Sequence, residues 1–415
     1  MDYHNQMTDE DSPSRLLFGG STRRIDSLGK VTGKTRYVED MVMPGMLHAC
    51  ALRSPHHFAR VLSIDITEAE GSPGVVRIIT ASDIPGVNEL VGYSRGEPVL
   101  TPVGDTVRQK GAPIALIVAE SLDQARRALE VIKVEYELLR PVFGEGEALK
   151  ENAEQLYPGG NILGKHELKH GDLQAAFAGS DILVETDYYT ASQEHSALER
   201  ESALGYLDEN NRITVVAGTH EPHWQQGFIA QTLAVDASKI RVIVPPTGGS
   251  FGSRQDPWPF CATGLMVYLL RQPVRLSYSR SEVFSATPKR HPYHINLKIG
   301  ATASGHLTGI RVRINADTGG YDSAGYWIPN YAVTASGGAY TWRAVDAFAQ
   351  TYFTNAAKCG QFRGFGTPQS VFALESTLDE LAQKLNVDPL EFRLQNRLSQ
   401  DGNSFLGHPD RKSVV

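Results

Sequence analysis

The sequence predicts an α+β protein with two main domains, and three observations lead to this fold class. From Thr35 to Thr80, short apolar-alternating runs recur between Pro and Gly turns, which indicates strands. Ile114–Val118 is a compact β run, and Ser121 then begins a segment with apolar residues at helical spacing. Farther along, long β runs precede a helical pattern over Thr367–Leu385. The strands predicted in the first part are Leu47–Arg53, Val61–Ile66, Val75–Thr80, Ile114–Val118 and Val134–Tyr136.

The second part of the chain follows a polar segment, residues 145–164, that is interpreted as a linker. Pro222 stands where a helix can begin, and Trp224, Phe228 and Leu233 are predicted to form the buried stripe of that helix. The other predicted helices are Pro259–Leu270, Thr367–Leu385 and Pro389–Asn396, the last capped by Asp388. The predicted strands are Asp181–Tyr189, Ala203–Leu207, Ile213–Ala217, Arg241–Val244, Val274–Tyr278, Tyr293–Ala301 and Leu307–Asp317.

These elements divide the chain into a flexible amino-terminal segment (1–23), a first domain (24–144), the linker (145–164), a second domain (165–400) and a tail (401–415). The net charge of −7 and the lack of a basic run argue against a nucleic-acid surface. No apolar stretch approaches the roughly 20 residues of a spanning helix, and the polar amino end does not resemble a signal peptide. We therefore expect a cytoplasmic globular protein.

Two glycine loops carry the strongest functional signal. Residues 247–254 contain a Gly-Gly-Ser-Phe-Gly turn and residues 361–369 a Phe-Arg-Gly-Phe-Gly turn, more than a hundred residues apart. Glycines let the backbone approach a ligand closely and adopt positive φ. Backbone N–H groups at a helix entrance favour a negative ligand, and Arg363 adds a fixed fork of donors. The two loops together therefore predict one site for an anionic cofactor.

Other patterns are weaker. The segment from Gly159 to His166 nearly spells a phosphate loop but lacks the final Ser or Thr, so it is interpreted as linker. His195 stands near Glu199 and Glu201, which suggests a salt-bridged loop more than an acid–base pair. The three cysteines are too far apart for a disulfide framework or for an iron–sulfur cluster within this chain.

At the two loops the chain resembles the molybdenum hydroxylase family, which includes xanthine dehydrogenase, aldehyde oxidase and nicotinate dehydrogenase. The family's loops typically read Gly-Gly-Gly-Phe-Gly-Gly-Lys and Ala-Phe-Arg-Gly-Phe-Gly-x-Pro-Gln, and the resemblance runs from about Arg24 to Asn396. The matching segments here are Gly248-Gly249-Ser250-Phe251-Gly252-Ser253-Arg254, Gln361-Phe362-Arg363-Gly364-Phe365-Gly366-Thr367-Pro368-Gln369, Arg53-Ser54-Pro55-His56, Glu194-His195-Ser196-Ala197-Leu198-Glu199 and Arg290-His291-Pro292.

The resemblance implies an amino-terminal α/β hammerhead domain and then the first molybdopterin-binding α+β domain, in the layout of the large molybdopterin subunit of nicotinate dehydrogenase. It implies a molybdenum–pyranopterin cofactor held without direct side-chain ligation of the metal. The cofactor-binding residues that it implies are His220, Gly249, Phe251, Gly252, Phe362, Arg363 and Gly364, and the substrate-binding residues are Gln255, Tyr331 and Phe365.

Three of these positions depart from the family pattern. His220 stands where the family has a glutamine, Gln255 where purine enzymes have an acidic residue, and Tyr331 where they have an arginine. The loss of both charged groups argues against an ordinary xanthine site.

By the same resemblance, the second cofactor domain and the general-base glutamate are expected in a partner subunit, and no catalytic residue is expected in this chain. Further expected partners are a 2Fe–2S subunit and an FAD subunit. The expected reaction is hydroxylation of an N-heteroaromatic compound, purine- or nicotinate-like, with water as the oxygen source. Two alternatives remain open: an aldehyde-oxidising member of the same family, and a non-catalytic truncated remnant or assembly subunit.

Overall fold

The computed structural model describes residues 24–90, 95–399 and 404–407, and within them fifteen strands form three sheets. The strands are β1 Leu47–Arg53, β2 Ala59–Asp65, β3 Val75–Ile79, β4 Thr106–Val107, β5 Pro113–Ala119, β6 Lys133–Leu138, β7 Ile162–His170, β8 Ile182–Thr190, β9 Ser202–Leu207, β10 Ile213–Ala217, β11 Ile240–Ile243, β12 Val274–Ser277, β13 Tyr293–Ala301, β14 Leu307–Asp317 and β15 Ala344–Tyr352. The α-helices are α1 Ser27–Val31, α2 Thr67–Glu70, α3 Leu122–Val131, α4 Glu145–Ala148, α5 Leu173–Ala178, α6 Pro222–Leu233, α7 Trp258–Leu270, α8 Arg280–Ala286, α9 Ile328–Ala335, α10 Thr367–Leu385 and α11 Pro389–Asn396.

The largest sheet has seven strands in the order β11-β10-β9-β12-β1-β5-β3. β1 runs parallel to β12, with Leu47 opposite Val274, so this sheet joins strands from both predicted domains. Helix α7 is apolar on every face and is buried against β9, β10 and β12, as expected for a helix inside a core. The division at residues 144 and 165 stays a prediction, but the hydrogen bonding of the sheet does not stop there.

The second sheet has five strands in the order β7-β15-β14-β13-β8, and β14 and β15 run parallel. Buried and partly exposed residues alternate along β13, which is the pattern of a sheet with one face in the core. Helices α9 and α10 pack against this sheet, and a third, three-stranded sheet has the order β4-β2-β6. No helix in the described ranges is both long and apolar enough to cross a bilayer.

Most sequence-predicted elements are confirmed. Their caps and their apolar periodicity depend on residues that are close along the chain, so both can be recognised in the sequence. Ser121 accepts from the N–H of Gln124, and Asp388 caps α11 as predicted. The predicted bounds of six elements match the structure: Leu47–Arg53, Ile213–Ala217, Tyr293–Ala301, Leu307–Asp317, Thr367–Leu385 and Pro389–Asn396.

The predicted buried stripe of α6 is wrong at Trp224. This side chain is 57% exposed, whereas Ile229 and Leu233 are buried on the helix. Both residues carry apolar side chains that face the large sheet, and Trp224 instead borders a cavity. Sequence reasoning also missed β7, which lies partly in the segment interpreted as linker; its charged, alternating residues are typical of a protected edge strand.

A pH-dependent ion cluster ties the segment between the predicted domains to the second sheet. His294 Nδ1 lies 2.8 Å from Glu145 Oε2, and its Nε2 lies 2.9 Å from Asp187 Oδ1. Burial alone would lower the pKa of His294, but the hydrogen bonds to Asp187 and Glu145 outweigh it and raise the pKa. The stabilisation should be fully present below the ordinary histidine pKa of about 6.5 and lost as pH rises through the raised value.

We therefore expect wild-type protein to lose about 0.5–1 kcal/mol more stability than His294→Gln between pH 6 and pH 9. Urea unfolding at the two pH values measures this difference. His306→Gln is the matched control, because His306 is exposed and its ring contacts the neutral Gln395 amide. Equal pH dependence of wild type and His294→Gln would contradict the assignment.

Candidate functional site

The two glycine loops meet backbone to backbone. The first, residues 247–254, follows β11, and the second, residues 361–369, leads directly into α10. The N–H of Arg363 donates to the carbonyl oxygen of Phe251 at 2.8 Å. A Cβ atom on Gly252, whose φ is +118°, would lie 2.4 Å from the carbonyl oxygen of Gln361. Only glycine permits this approach, so the contact between the loops depends on Gly252.

Each loop also holds a phenylalanine in the left-handed backbone region. The φ angles are 55° at Phe251 and 48° at Phe365. Such conformations cost on the order of 1–3 kcal/mol for a residue other than glycine and concentrate at binding sites. The two side chains are 47% and 37% exposed, so they are displayed at the surface. The strain points to a ligand site at the junction of the loops.

Buried charges fix the first loop. Glu199 accepts the N–H of Gly248 at 2.7 Å, and the Arg254 guanidinium donates to the carbonyl oxygens of Glu199 at 2.6 Å and Gly249 at 3.3 Å. Arg254 is buried, so it stabilises the conformation of the loop from the protein interior. The N–H of Phe251 has no acceptor among the described residues. The first loop therefore holds the Phe251 N–H, a donor without an acceptor in the described part of the chain, in a fixed position.

The second loop is clamped through Phe362. Its ring lies between the Arg290 guanidinium, 3.8 Å from the ring centroid, and the His195 imidazole, whose centroid is 4.2 Å away. His195 Nε2 donates to the Gln361 carbonyl oxygen at 2.6 Å, and Arg290 donates to that of Arg363 at 3.1 Å. Burial lowers the pKa of His195, which favours the neutral imidazole. Both faces of the Phe362 ring are thus covered by Arg290 and His195. Phe362 would therefore contribute to cofactor binding by fixing the conformation of the loop.

The clamp was missed as such by sequence reasoning, although both of its outer residues stand in segments that resemble the family. Arg290→Lys keeps the charge but loses the flat, forked guanidinium that stacks and bonds at once. We expect a loss of about 1–2 kcal/mol in unfolding free energy and a lower bound molybdenum content. Arg311→Lys, at the ion pair with Glu185 between strands β14 and β8, is the control. Unchanged metal content in Arg290→Lys, measured by mass spectrometry, would contradict a positioning role.

The structure brings other predicted residues to the same region. His220 is exposed and borders an open cavity of about 240 Å3 with Gly249 and Ser250. The ring of Tyr331, on α9, lies 5.8 Å from that of Phe365, and Tyr331 is 52% exposed. Their roles in binding cofactor or substrate stay predictions.

Gln255 directly follows the first loop, and Gly364 lies inside the second loop. A Cβ on Gly364 would lie 2.4 Å from Pro368 Cγ, so that glycine is required by packing within the loop. Gln255 Nε2 donates to Glu221 Oε1 at 3.0 Å. With Gln361, Gln255 borders a second cavity of about 110 Å3, named the Gln255–Gln361 cavity. Its further lining residues are Leu90, Glu97, Glu221, Trp224, Phe228, Asp256, Pro257, Tyr321, Asp322, Ser323 and Lys358.

An ion cluster forms part of this cavity wall. The Lys358 ammonium contacts the Glu97 carboxylate and lies 3.0 Å from Asp256 Oδ2, and all three side chains are buried. Burial favours the neutral amine, but Asp256 and Glu97 outweigh it and raise the pKa of Lys358. Sequence reasoning missed the cluster, because its members are far apart along the chain and form no motif.

The residues at the loop junction suit an oxygen-rich anionic group. The N–H of Phe251 is unused, and the exposed Arg363 guanidinium has no ion-pair partner in the described part of the chain. His220 can add a further donor, and the N-cap of α10, Gly366, provides no side-chain cap. Positive backbone and side-chain donors of this kind bind anions and stabilise developing negative charge. The site and fold together define a protein that binds an anionic, oxygen-rich cofactor.

Comparisons with known proteins indicate which cofactor this is. Residues 156–397 match the model of the molybdopterin cofactor-binding domain, and residues 32–140 match the aldehyde oxidase and xanthine dehydrogenase a/b hammerhead domain. The chain is 35% identical to the nicotinate dehydrogenase large molybdopterin subunit of Eubacterium barkeri, over 92% of this chain and 89% of that protein. It is 33% identical to the xanthine dehydrogenase molybdenum-binding subunit of Escherichia coli, over 92% of this chain and 52% of that protein.

Among solved structures, the aldehyde oxidoreductase of Desulfovibrio gigas superposes with a TM-score of 0.89 at 29% identity, covering 93% of this chain and 44% of that one. The chain therefore spans most of the Eubacterium relative and about half of the Escherichia and Desulfovibrio proteins. It belongs to the aldehyde oxidase and xanthine dehydrogenase family of molybdenum hydroxylases, and its cofactor is a molybdopterin.

Proposed function

We propose that this chain is the molybdopterin-binding subunit of a hydroxylase that oxidises an N-heteroaromatic compound with water as the oxygen source. The observation that carries the proposal is the junction of the two strained loops, where the Arg363 guanidinium and the Phe251 N–H have no partner among the described residues. The matches to molybdenum hydroxylases support the reaction class.

The bound cofactor would supply the redox chemistry, accepting two electrons from the substrate carbon while an oxygen atom from water is added. The chain's own residues would hold the cofactor and orient the substrate. The N–H of Phe251 would donate to a cofactor oxygen, and Arg363 would neutralise negative charge on the cofactor. Phe365 and Tyr331 would offer apolar faces to a planar substrate, since their exposed rings lie 5.8 Å apart.

We further propose that a second molybdopterin-binding subunit covers the loop junction and supplies the general-base carboxylate. Phe251, Phe365 and Tyr331 form an exposed aromatic surface around the site, and exposed apolar surface of this kind marks an interaction site. Electrons would leave through a 2Fe–2S subunit and an FAD subunit. The cysteines support this route. All three are buried and far apart along the chain, so they do not form a set of ligands for an iron–sulfur cluster.

Molybdenum and pterin content of the chain, purified alone and as a complex with co-expressed neighbouring gene products, tests this function. We expect near-stoichiometric metal and hydroxylation of a heteroaromatic compound only in the complex. Metal with turnover in the isolated chain would contradict the shared site. The absence of molybdenum from every complex would favour the non-catalytic alternative, and turnover of aldehydes alone would favour the aldehyde-oxidising one.

A further inference from the structure

We propose that residues 196–199, named the 196–199 turn, form a third loop of the cofactor site. In this turn the N–H of Leu198 donates to the anionic cofactor, and Arg280 is a positioning residue that fixes the direction of this N–H. The inference rests on the proposed function, because it takes the junction of the two glycine loops as the place where the cofactor binds. It adds a donor from a third segment of the chain to that site.

Backbone strain distinguishes this turn. Seven residues other than glycine have a positive φ within the described ranges. Four of them are helix C-caps or lie in the tight turn between β9 and β10, where this conformation is ordinary: Ala234, Arg271, Asn386 and Asn211. The other three are Phe251, Phe365 and Ser196, whose φ is 52°. Because strain without a local cause concentrates at ligand sites, Ser196 belongs with the two glycine loops.

The residues at both ends of the turn contact these loops. Before Ser196, His195 Nε2 donates to the Gln361 carbonyl oxygen of the second loop at 2.6 Å. At the other end, the N–H of Glu199 donates to the Gly248 carbonyl oxygen of the first loop at 3.2 Å, and Glu199 Oε2 accepts the N–H of Gly248 at 2.7 Å. The 196–199 turn is thus connected to the second loop at one end and to the first loop at the other.

Arg280 fixes the direction of two peptide groups in the turn. Its guanidinium donates to the carbonyl oxygens of Ala197 and Leu198, at 2.9 Å each. In a planar trans peptide the N–H points opposite to the carbonyl, so the N–H groups of Leu198 and Glu199 both point away from Arg280. The N–H of Glu199 reaches Gly248, so the N–H of Leu198 points toward the first loop as well. No acceptor for it is found in the part of the chain that the structure describes.

This donor suits the proposed site. Neighbouring N–H groups that point to one side of a turn favour anions, and the Leu198 N–H would add to the Phe251 N–H and the Arg363 guanidinium. The one carboxylate of the turn, on Glu199, is compensated by Arg254, which lies 3.5 Å from its Oε2. The Leu198 side chain is 91% exposed, so the described part of the chain leaves the turn open to a ligand.

The rate of molybdenum release from the purified complex tests the inference without relying on turnover. Arg280→Lys keeps the charge, but one ammonium group lacks the fixed fork with which the guanidinium holds both carbonyl oxygens. We expect this variant to release molybdenum in dilute urea at least about fivefold faster than wild type, because the misdirected N–H loses a hydrogen bond to a charged group. Mass spectrometry of the protein-bound metal over time measures the rate.

Arg108→Lys is the matched control. Arg108 also donates to two backbone carbonyl oxygens, those of Leu156 at 3.1 Å and Thr106 at 3.0 Å, and both of these residues lie outside the glycine loops and the 196–199 turn. This variant should be destabilised in thermal unfolding to a similar extent as Arg280→Lys, yet release molybdenum at the wild-type rate. Leu198→Ala removes the exposed side chain and keeps the backbone N–H, so it should also release molybdenum at the wild-type rate.

Wild-type release from Arg280→Lys would overturn the inference, because the direction of the turn would then not matter for the cofactor. Equally fast release from Arg108→Lys or Leu198→Ala would overturn it too, since general destabilisation or a contact of the Leu198 side chain with a partner would explain the loss. Faster release from Arg280→Lys alone, in a complex that hydroxylates no N-heteroaromatic compound, would support the third loop and contradict the proposed substrate class. A wild-type complex that holds no molybdenum would overturn both.

Discussion

Replacing Lys358 with methionine should destabilise the protein by about 3–5 kcal/mol, because Glu97 and Asp256 would remain buried without their counter-ion. The cluster joins the first part of the chain to both segments that flank the glycine loops, so retention of the cofactor should fall as well. Urea unfolding near neutral pH measures the first effect, and molybdenum content of the purified complex measures the second.

The control for Lys358→Met is Lys384→Met. Lys384 forms an exposed pair with Glu380 at 2.9 Å on helix α10, and its loss should cost less than about 0.5 kcal/mol. The penalty of Lys358→Met should also shrink as pH falls. Burial raises the pKa of the Glu97 carboxyl, and the loss of Lys358, which opposes that rise, would raise it further, so protonation favours the folded form of the variant. Similar losses in both variants would show that the cluster is not buried in the way described.

Gly252→Ala should cost about 2–4 kcal/mol and remove most of the bound molybdenum. The added Cβ would lie 2.4 Å from the Gln361 carbonyl oxygen, at a backbone φ of +118° that alanine rarely adopts. The two loops would have to separate, and the unpaired donors at their junction would move with them. Thermal unfolding and metal analysis of the same preparation measure both consequences.

Gly104→Ala separates conformational strain from collision. Gly104 also has a positive φ, +90°, but a Cβ there would meet no atom of the described residues within 4 Å. This control should therefore lose only about 1 kcal/mol, from strain alone, and keep its molybdenum. If Gly252→Ala is no less stable than Gly104→Ala and binds full molybdenum, close approach of the loops is not required for the site.

The local elements and the identity of the two loops could be predicted from the sequence. Helix α10, strand β14 and the cap at Asp388 follow from periodicity and from hydrogen bonds that reach only a few residues. The glycine and phenylalanine pattern of the loops resembles the family closely enough to indicate the cofactor. The exposed Trp224 shows the limit of this reasoning, since apolar spacing does not tell which side of a short helix faces the core.

The way in which distant segments meet could be read only from the folded chain. β1 pairs with β12 across the predicted domain boundary, and Lys358 contacts Glu97 although they are 261 residues apart along the chain. The clamp on Phe362 likewise joins three separate segments. Periodicity and propensity describe a residue's neighbours along the chain, whereas these contacts depend on which surfaces pack together. The loops thus indicate the cofactor from the sequence, while the clamp on Phe362 and the buried ion cluster at Lys358 come from the fold.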